Sequence, residues 1–202
     1  MTASSFEPDL SRWDAWSPAE AAQHLAGVET PWYVTAGWAL DLFRGRQTRD
    51  HEDLEVAVPA HGFGAVQHAL SEFELWAIGD GLAHPLTPET LATSHQTWVR
   101  ESLTGTWRLD VMREPWDGDV WVFLRDHRIR LPHSRVIAHT VDGIPFAQPE
   151  IALLFKAKAV REKDEDDFVS VLPLLDPAQR RWLTEALTLV HPGHRWLTAM
   201  TA

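Results

Sequence analysis

The chain contains no cysteine. Disulfides, thiolate metal sites and cysteine nucleophiles are therefore excluded, and compartment is left nearly unconstrained. No apolar run approaches the roughly 20 residues of a membrane-spanning helix. Met1 to Leu10 is acidic and has no apolar signal core, so a cytoplasmic protein away from the membrane is expected. Positive charge is scarce, with 18 Lys and Arg against 29 Asp and Glu, a net charge of −11. A non-specific nucleic-acid binder needs a basic footprint, so nucleic acid is a disfavoured partner. The acidity serves solubility, and it also suits a cationic small substrate drawn into an acidic cleft. Internal repeats, low-complexity tracts, a Walker A loop, a G-x-S-x-G elbow and a G-x-G-x-x-G turn are all missing.

What remains is an ordinary globular composition, 45% hydrophobic over 202 residues. That length holds one good core, or one domain with a small appended one. Eleven tryptophans are scattered along the chain. Most should pack in the core or at its edge, with one or two free to stack on a ligand ring.

Residues 1–16 read as a loose arm. Ser17-Pro18-Ala19-Glu20 is a capping box with proline at the first helical position, so a helix should run to about Gly27. A short β-prone run, Trp32 to Thr35, leads into a second helix that ends near Gly45. Asp53 to Val58 alternates, with Leu54, Val56 and Val58 on one face and Asp53 and Glu55 on the other. Phe63 to Phe73 has helical spacing, and Glu74 to Ile78 reads as a strand. Residues 79–93 read as a loop rich in Gly, Pro and Thr. His95 to Leu103 and Thr106 to Met112 flank Thr104-Gly105 as a hairpin. Short strand candidates follow at Val120 to Leu124, Ile129 to Leu131 and Val136 to His139. After Pro149 the pattern is helical, in three segments from Glu150 to His191. The expected fold is α+β, a mixed twisted sheet flanked by helices. The expected division is an α/β domain over 1–148 and a helical part over 149–202.

Asp53 and Glu55 are two positions apart on the expected strand, so both carboxylates point one way. Their repulsion calls for a cation or a basic partner. Magnesium takes carboxylate, phosphate and water oxygens. Asp110, on a strand between the apolar Leu109 and Val111, is the best third acid. Taken alone, such a pair is a solvated polar face. Gly37, at the start of the second helix, lets backbone N–H groups approach an anion closely. Arg44, Arg46 and Arg49 lie between the two elements and can reach phosphates. Lys156 and Lys158 are roughly 200° apart on a helix of 3.6 residues per turn, so one of them can face a cleft.

In this order, Gly37 to Glu55 (Gly-Trp-Ala-Leu-Asp-Leu-Phe-Arg-Gly-Arg-Gln-Thr-Arg-Asp-His-Glu-Asp-Leu-Glu) resembles the core of the DNA polymerase beta-like nucleotidyltransferase superfamily. The nearest branch is that of the aminoglycoside and lincosamide O-nucleotidyltransferases. Leu153 to Lys158 and Lys163 to Phe168 resemble its helical part. The resemblance implies a nucleotidyltransferase fold and a cleft for an NTP, ATP first. Asp53, Glu55 and Asp110 would be the catalytic acids and would hold magnesium. Asp110 would act as metal ligand, general base toward the acceptor hydroxyl, or both. Gly37, Trp38, Arg49 and Lys156 would bind the nucleotide. A nucleoside monophosphate would pass to the hydroxyl of a small acceptor, aminoglycoside- or lincosamide-like, with release of pyrophosphate. Two positions depart from the family's pattern: Ala36 stands where Gly or Ser is usual, and Glu55 where Asp is usual. Two alternatives stay open: a nucleotidyltransferase toxin or modifier of tRNA or protein, using a basic patch of Arg125, Arg128, Arg130 and Arg135, and a catalytically degenerate nucleotide-binding module. Acceptor identity, base preference and oligomeric state are not set by the sequence.

Overall fold

The computed structural model describes residues 4–201; residues 1–3 of the N-terminal arm and residue 202 lie outside the described residues. In chain order the strands are β1 (Tyr33–Val34), β2 (Glu55–Pro59), β3 (Glu74–Gly79), β4 (Leu82–Pro85), β5 (Gln96–Arg100), β6 (Trp107–Glu114), β7 (Trp116–Asp117), β8 (Val120–Val122), β9 (Arg130–Pro132), β10 (Ile137–His139) and β11 (Pro145–Ala147). The α-helices are α1 (Pro18–His24), α2 (Ala36–Arg44), α3 (Phe63–Ala69), α4 (Pro88–Thr93), α5 (Pro149–Lys156), α6 (Glu162–Val171), α7 (Pro177–Val190) and α8 (Arg195–Thr201). Eight strands form a mixed sheet in the order β10-β11-β1-β2-β6-β5-β3-β4, and β7-β8-β9 form a second, smaller one. The expected mixed sheet with flanking helices is therefore what the chain builds.

β2 and β6 run parallel at the centre of the large sheet, with Glu55 opposite Asp110, Ala57 opposite Met112 and Pro59 opposite Glu114. β5 and β6 form the expected antiparallel hairpin. Val56, Val58, Val99, Leu109 and Val111 are fully buried. They share one apolar cluster with Leu40 of α2, Ile151 and Leu154 of α5 and Leu187 of α7. The sheet thus carries the C-terminal helices directly, and the cleft lies where their ends meet the open ends of β2 and β6. Among the described residues no helix is long and apolar enough to cross a membrane.

Several local expectations shift. β2 begins at Glu55, two residues later than the alternation suggests, which leaves Asp53 exposed ahead of the strand. The stretch read as a loop holds β4 and α4, the latter opened by a Thr87–Thr90 capping box with Pro88 in the first turn. The N-terminal arm is pinned rather than loose. Phe6 bridges to Ala83 and Trp13 to Trp107. Trp13 meets Trp98 edge-on at 5.1 Å, and Phe6 meets Trp76 at 4.8 Å. Aromatic burial of this size fixes a segment that has no regular structure of its own.

Candidate active site

The site starts at the β1–α2 turn. Thr35 donates its backbone N–H to the carbonyl of Glu55 at 2.9 Å, tying the turn to the first residue of β2. Ala36 sits at φ 54°, a left-handed angle that costs a residue with a Cβ about 1–2 kcal/mol. The turn needs that angle whatever residue stands there, and glycine adopts it freely. Ala36→Gly should therefore raise stability by about 0.5 kcal/mol, net of glycine's greater chain entropy. A melting temperature that falls, or stays level, would show that the turn relaxes. At Gly37 there is no room for a side chain: a Cβ would collide with the Arg49 guanidinium and lie 2.8 Å from His51 Cε1.

Those two neighbours are held by the loop between α2 and β2, which is organised around one buried acid. Asp41 accepts hydrogen bonds from Thr48 Oγ1 at 2.6 Å, the Thr48 N–H at 3.1 Å and Arg44 Nη2 at 2.7 Å, and contacts His51 Nε2 at 2.7 Å. Burial works to raise the Asp41 pKa, but the bonds from His51 and Thr48 outweigh it and hold the carboxyl below its ordinary range. For His51 burial wins over Asp41 and lowers the pKa, so the ring is neutral at pH 7. Trp38 stacks on it at 4.5 Å.

From there a chain of ion pairs crosses to the C-terminal helices. Arg49 Nη2 reaches Asp167 at 3.2 Å, and Lys156 Nζ reaches Asp167 at 3.1 Å and Asp164 at 2.6 Å. Asp164 is pushed up by burial, yet bonds from Arg161 and Lys156 bring its pKa well below normal. Lys156 is thus buried and anchored, and Arg49 keeps one buried atom, Nε, without a partner. Lys158 lies past the end of α5, so helical spacing does not govern it. It is exposed, yet both lysines line the cleft. Arg161 and Lys163 line the phosphate-sized recess beside Gly37, Arg49 and Asp53. Neither was expected to serve the site: Arg161 reaches the recess as the N-cap of α6 and Lys163 from its first turn.

Glu55 and Asp110 are neighbours across the parallel β2–β6 pair. Asp110 is 2% exposed. Its Oδ2 accepts from Gln96 Nε2, and its Oδ1 is buried with no partner. Burial, and then the Glu55 charge, raise its pKa well above the carboxylate range against the lowering by Gln96 and by the neighbouring Trp98 indole. Burial raises Glu55 to about 7, with Asp53 adding to the effect and Lys156 opposing it. Two adjoining acids that resist ionisation, one with an orphaned oxygen, are relieved by a proton or by a cation between them. Among the described residues no three His, Asp or Glu side chains are gathered so as to hold a metal ion by themselves. Asp53, Glu55 and Asp110 therefore do not close into the expected triad: Asp53 is exposed ahead of β2 and lines the recess with Glu55, while Asp110 is buried and does not line it.

Deeper along the same face of β6 stands Glu114, which sequence analysis passed over. Together with Glu55, Met112, Phe155, Lys156 and Arg161 it lines a cavity of about 400 Å³.

A family model described as aminoglycoside-2''-adenylyltransferase matches residues 19–81, which run from α1 through the Asp41 loop and β2 to β3. A lincosamide antibiotic adenylyltransferase crystallised with lincomycin is similar in structure, with TM-score 0.52 and 16% identity, over 78% of this chain and 93% of that one. The solution structure of the antibiotic-resistance factor ANT(2'')-Ia is similar at TM-score 0.53 and 14% identity, over 85% of this chain and 88% of that one. The fold is that of the antibiotic nucleotidyltransferases. A search of curated protein sequences finds no significant match. The family match under residues 19–81 covers the turn, the loop and the Asp53–Glu55 pair.

Proposed function

We propose that this chain is a magnesium-dependent nucleotidyltransferase. It moves a nucleoside monophosphate from an NTP, ATP first, to a hydroxyl of a small acceptor of the aminoglycoside or lincosamide kind. The observation that carries this is the Glu55–Asp110 pair: two neighbouring acids that resist ionisation, beside a recess lined by cationic side chains.

Gly37 and the amides after it seat phosphate oxygens, with the Arg49 guanidinium, the anchored Lys156, and Arg161 and Lys163 from the opposite wall. Glu55 and Asp110 would hold magnesium, with Asp53 at the rim. Magnesium, when bound, neutralises charge on the phosphates and lowers the cost of ionising the two acids. Asp110 in its ionised form accepts the proton of the acceptor hydroxyl. The acceptor oxygen bonds to the α-phosphorus, the α–β bridging bond breaks, and pyrophosphate leaves with that electron pair. Positioning and charge neutralisation supply the rate.

The test is pyrophosphate release from the purified protein with magnesium, each NTP in turn and a panel of aminoglycosides and lincosamides. Turnover is expected with at least one pair and should be lost in Asp53→Ala. If no pair turns over, and ATP affinity is indifferent to magnesium and to Asp53→Asn, the chain is a binding module. The tRNA- or protein-modifier alternative loses much of its basic patch. Arg128 is tied to Asp126 at 2.5 Å and Arg130 to Asp117 at 2.6 Å, and Arg125 turns toward the cleft.

A further inference from the structure

Glu114 is a carboxyl group in the wall of the 400 Å³ cavity, 5% exposed. Tyr33 Oη and Trp121 Nε1 both donate to the same oxygen, Oε2, the latter at 2.5 Å. Tyr33 and Trp121 are themselves buried to 1% exposure or less, so the group is clamped in one orientation. Its other oxygen, Oε1, receives no hydrogen bond from the described residues. Burying a carboxyl is costly unless something uses it, and the two donors use only one of its oxygens. Among the acids that line this cavity (Glu55, Glu114 and Asp164), Glu114 is the one that neither the transfer chemistry nor an ion pair uses.

We propose that this cavity seats the nucleobase of the NTP and that Glu114 reads the base, its Oε1 accepting a hydrogen bond from an exocyclic amino group. The proposal rests on the nucleotidyl-transfer assignment above and deepens it. Three observations support it. Glu114 lies on the same face of β6 as Asp110, four residues on, about 13 Å at the usual rise of a strand. A nucleotide whose phosphates lie at Glu55 and Asp110 can reach that far with its base. Met112, Ala152, Phe155 and Ala159 supply apolar wall around the polar end. Apolar walls with one fixed polar group suit a flat ring that carries its donors on its edge. Finally, Arg125 and Lys158 line the cavity without an acidic partner among the described residues, and the Arg125 guanidinium lies 5.2 Å over the Phe155 ring. Those unpaired cations repel a polyamine acceptor and leave a neutral ring unaffected. The acceptor then approaches Asp110 from elsewhere in the cleft.

Glu114→Gln tests this directly. With two donors fixed on one side, the amide carbonyl must face Tyr33 and Trp121, which turns the amide NH2 into the cavity. The cavity-facing atom changes from acceptor to donor. ATP and ITP carry an amino and a carbonyl group respectively at the position concerned, and can be titrated by calorimetry without an acceptor. The wild-type protein should bind ATP about tenfold more tightly than ITP. In Glu114→Gln that preference should vanish or reverse, with total nucleotide affinity kept by the phosphate seat. Adenosine against inosine should show the same sign. An equal ratio in both proteins overturns the proposal. So does a variant that keeps the ratio and loses affinity for the acceptor instead, because Glu114 would then face the acceptor. If the variant does not fold, as judged by circular dichroism, a wild-type protein indifferent to ATP and ITP still overturns it. A protein that releases no pyrophosphate but shows the inverted ratio refutes the transfer assignment and leaves the base-reading one standing.

Discussion

Asp110→Asn should lower turnover by about a thousandfold while leaving the metal-free protein as stable as before, or more so. The two effects have one cause. Asp110 is buried beside Glu55, whose charge makes it harder still to ionise. Without a cation the pair is a liability to the fold, since a like charge in a buried site costs free energy that water cannot screen. Asparagine has the same shape and can still accept from Gln96 through its carbonyl, and its NH2 can face Glu55. Repulsion becomes a hydrogen bond. The same change removes the anion that would hold magnesium and take the acceptor's proton. A thermal melt in EDTA and a pyrophosphate assay separate the two outcomes. A lower melting temperature with near-normal turnover would make Asp110 structural and remove it from the chemistry. The expected pattern, stability held or gained against activity lost, is the trade-off of a site kept ready for charge.

How much of this was legible before the structure varied with how local the signal was. The Gly37 turn, the helix after it and the acids at Asp53 and Glu55 lie close in sequence, so their order carried the resemblance. The fine geometry did not follow. Asp53 stands ahead of β2 because the strand's pairing with β6 begins at Glu55, and alternation alone does not mark where a partner strand starts. The role of Asp41 was invisible for another reason. A lone acid on a short helix reads as solvent-facing until the Thr48 and His51 donors fold back onto it. Arg161 and Lys163 reach the recess from a separate element, over a hundred residues beyond Asp53, and only tertiary structure brings them there. Glu114 had a faint signal that was passed over. It is four residues beyond Asp110 and shares its face once β6 is extended to its true end. Thr87-Pro88-Glu89-Thr90 carried the proline-led start that Ser17-Pro18 had displayed, masked by its Gly- and Thr-rich surroundings.

The buried acids also set how stability should depend on pH, and the direction is opposite to that of most acidic proteins. Glu114 and Glu150, 5% and 2% exposed, are each raised by burial from 4.5 to about 7. Glu114's donors offset only part of that effect. Glu150 keeps one buried oxygen, Oε2, without a partner. In both, the folded state holds a proton that the unfolded state has released by about pH 5. Stability therefore falls wherever the folded chain binds more protons, as pH rises from about 4.5 through 7. Each group costs on the order of 2–3 kcal/mol once ionised. Asp41 and Asp164 act in the opposite sense, since their lowered pKa values remove stability only as pH falls below about 4. Metal-free protein should thus be most stable near pH 5, and its melting temperature should drop by about 10 °C between pH 5 and 8. Glu114→Gln and Glu150→Gln should each flatten that slope, and the double variant should keep only the part that Glu55 and Asp110 contribute. Magnesium should restore part of the loss at pH 8 and little at pH 5, because Glu55 and Asp110 become useful anions only when a cation shares their seat. Melting curves across that range, with EDTA and with magnesium, decide the matter. A midpoint that rises steadily from pH 5 to 8 in EDTA would mean that these carboxyls ionise freely, and the cavity around Glu114 would then be wetter than its burial implies.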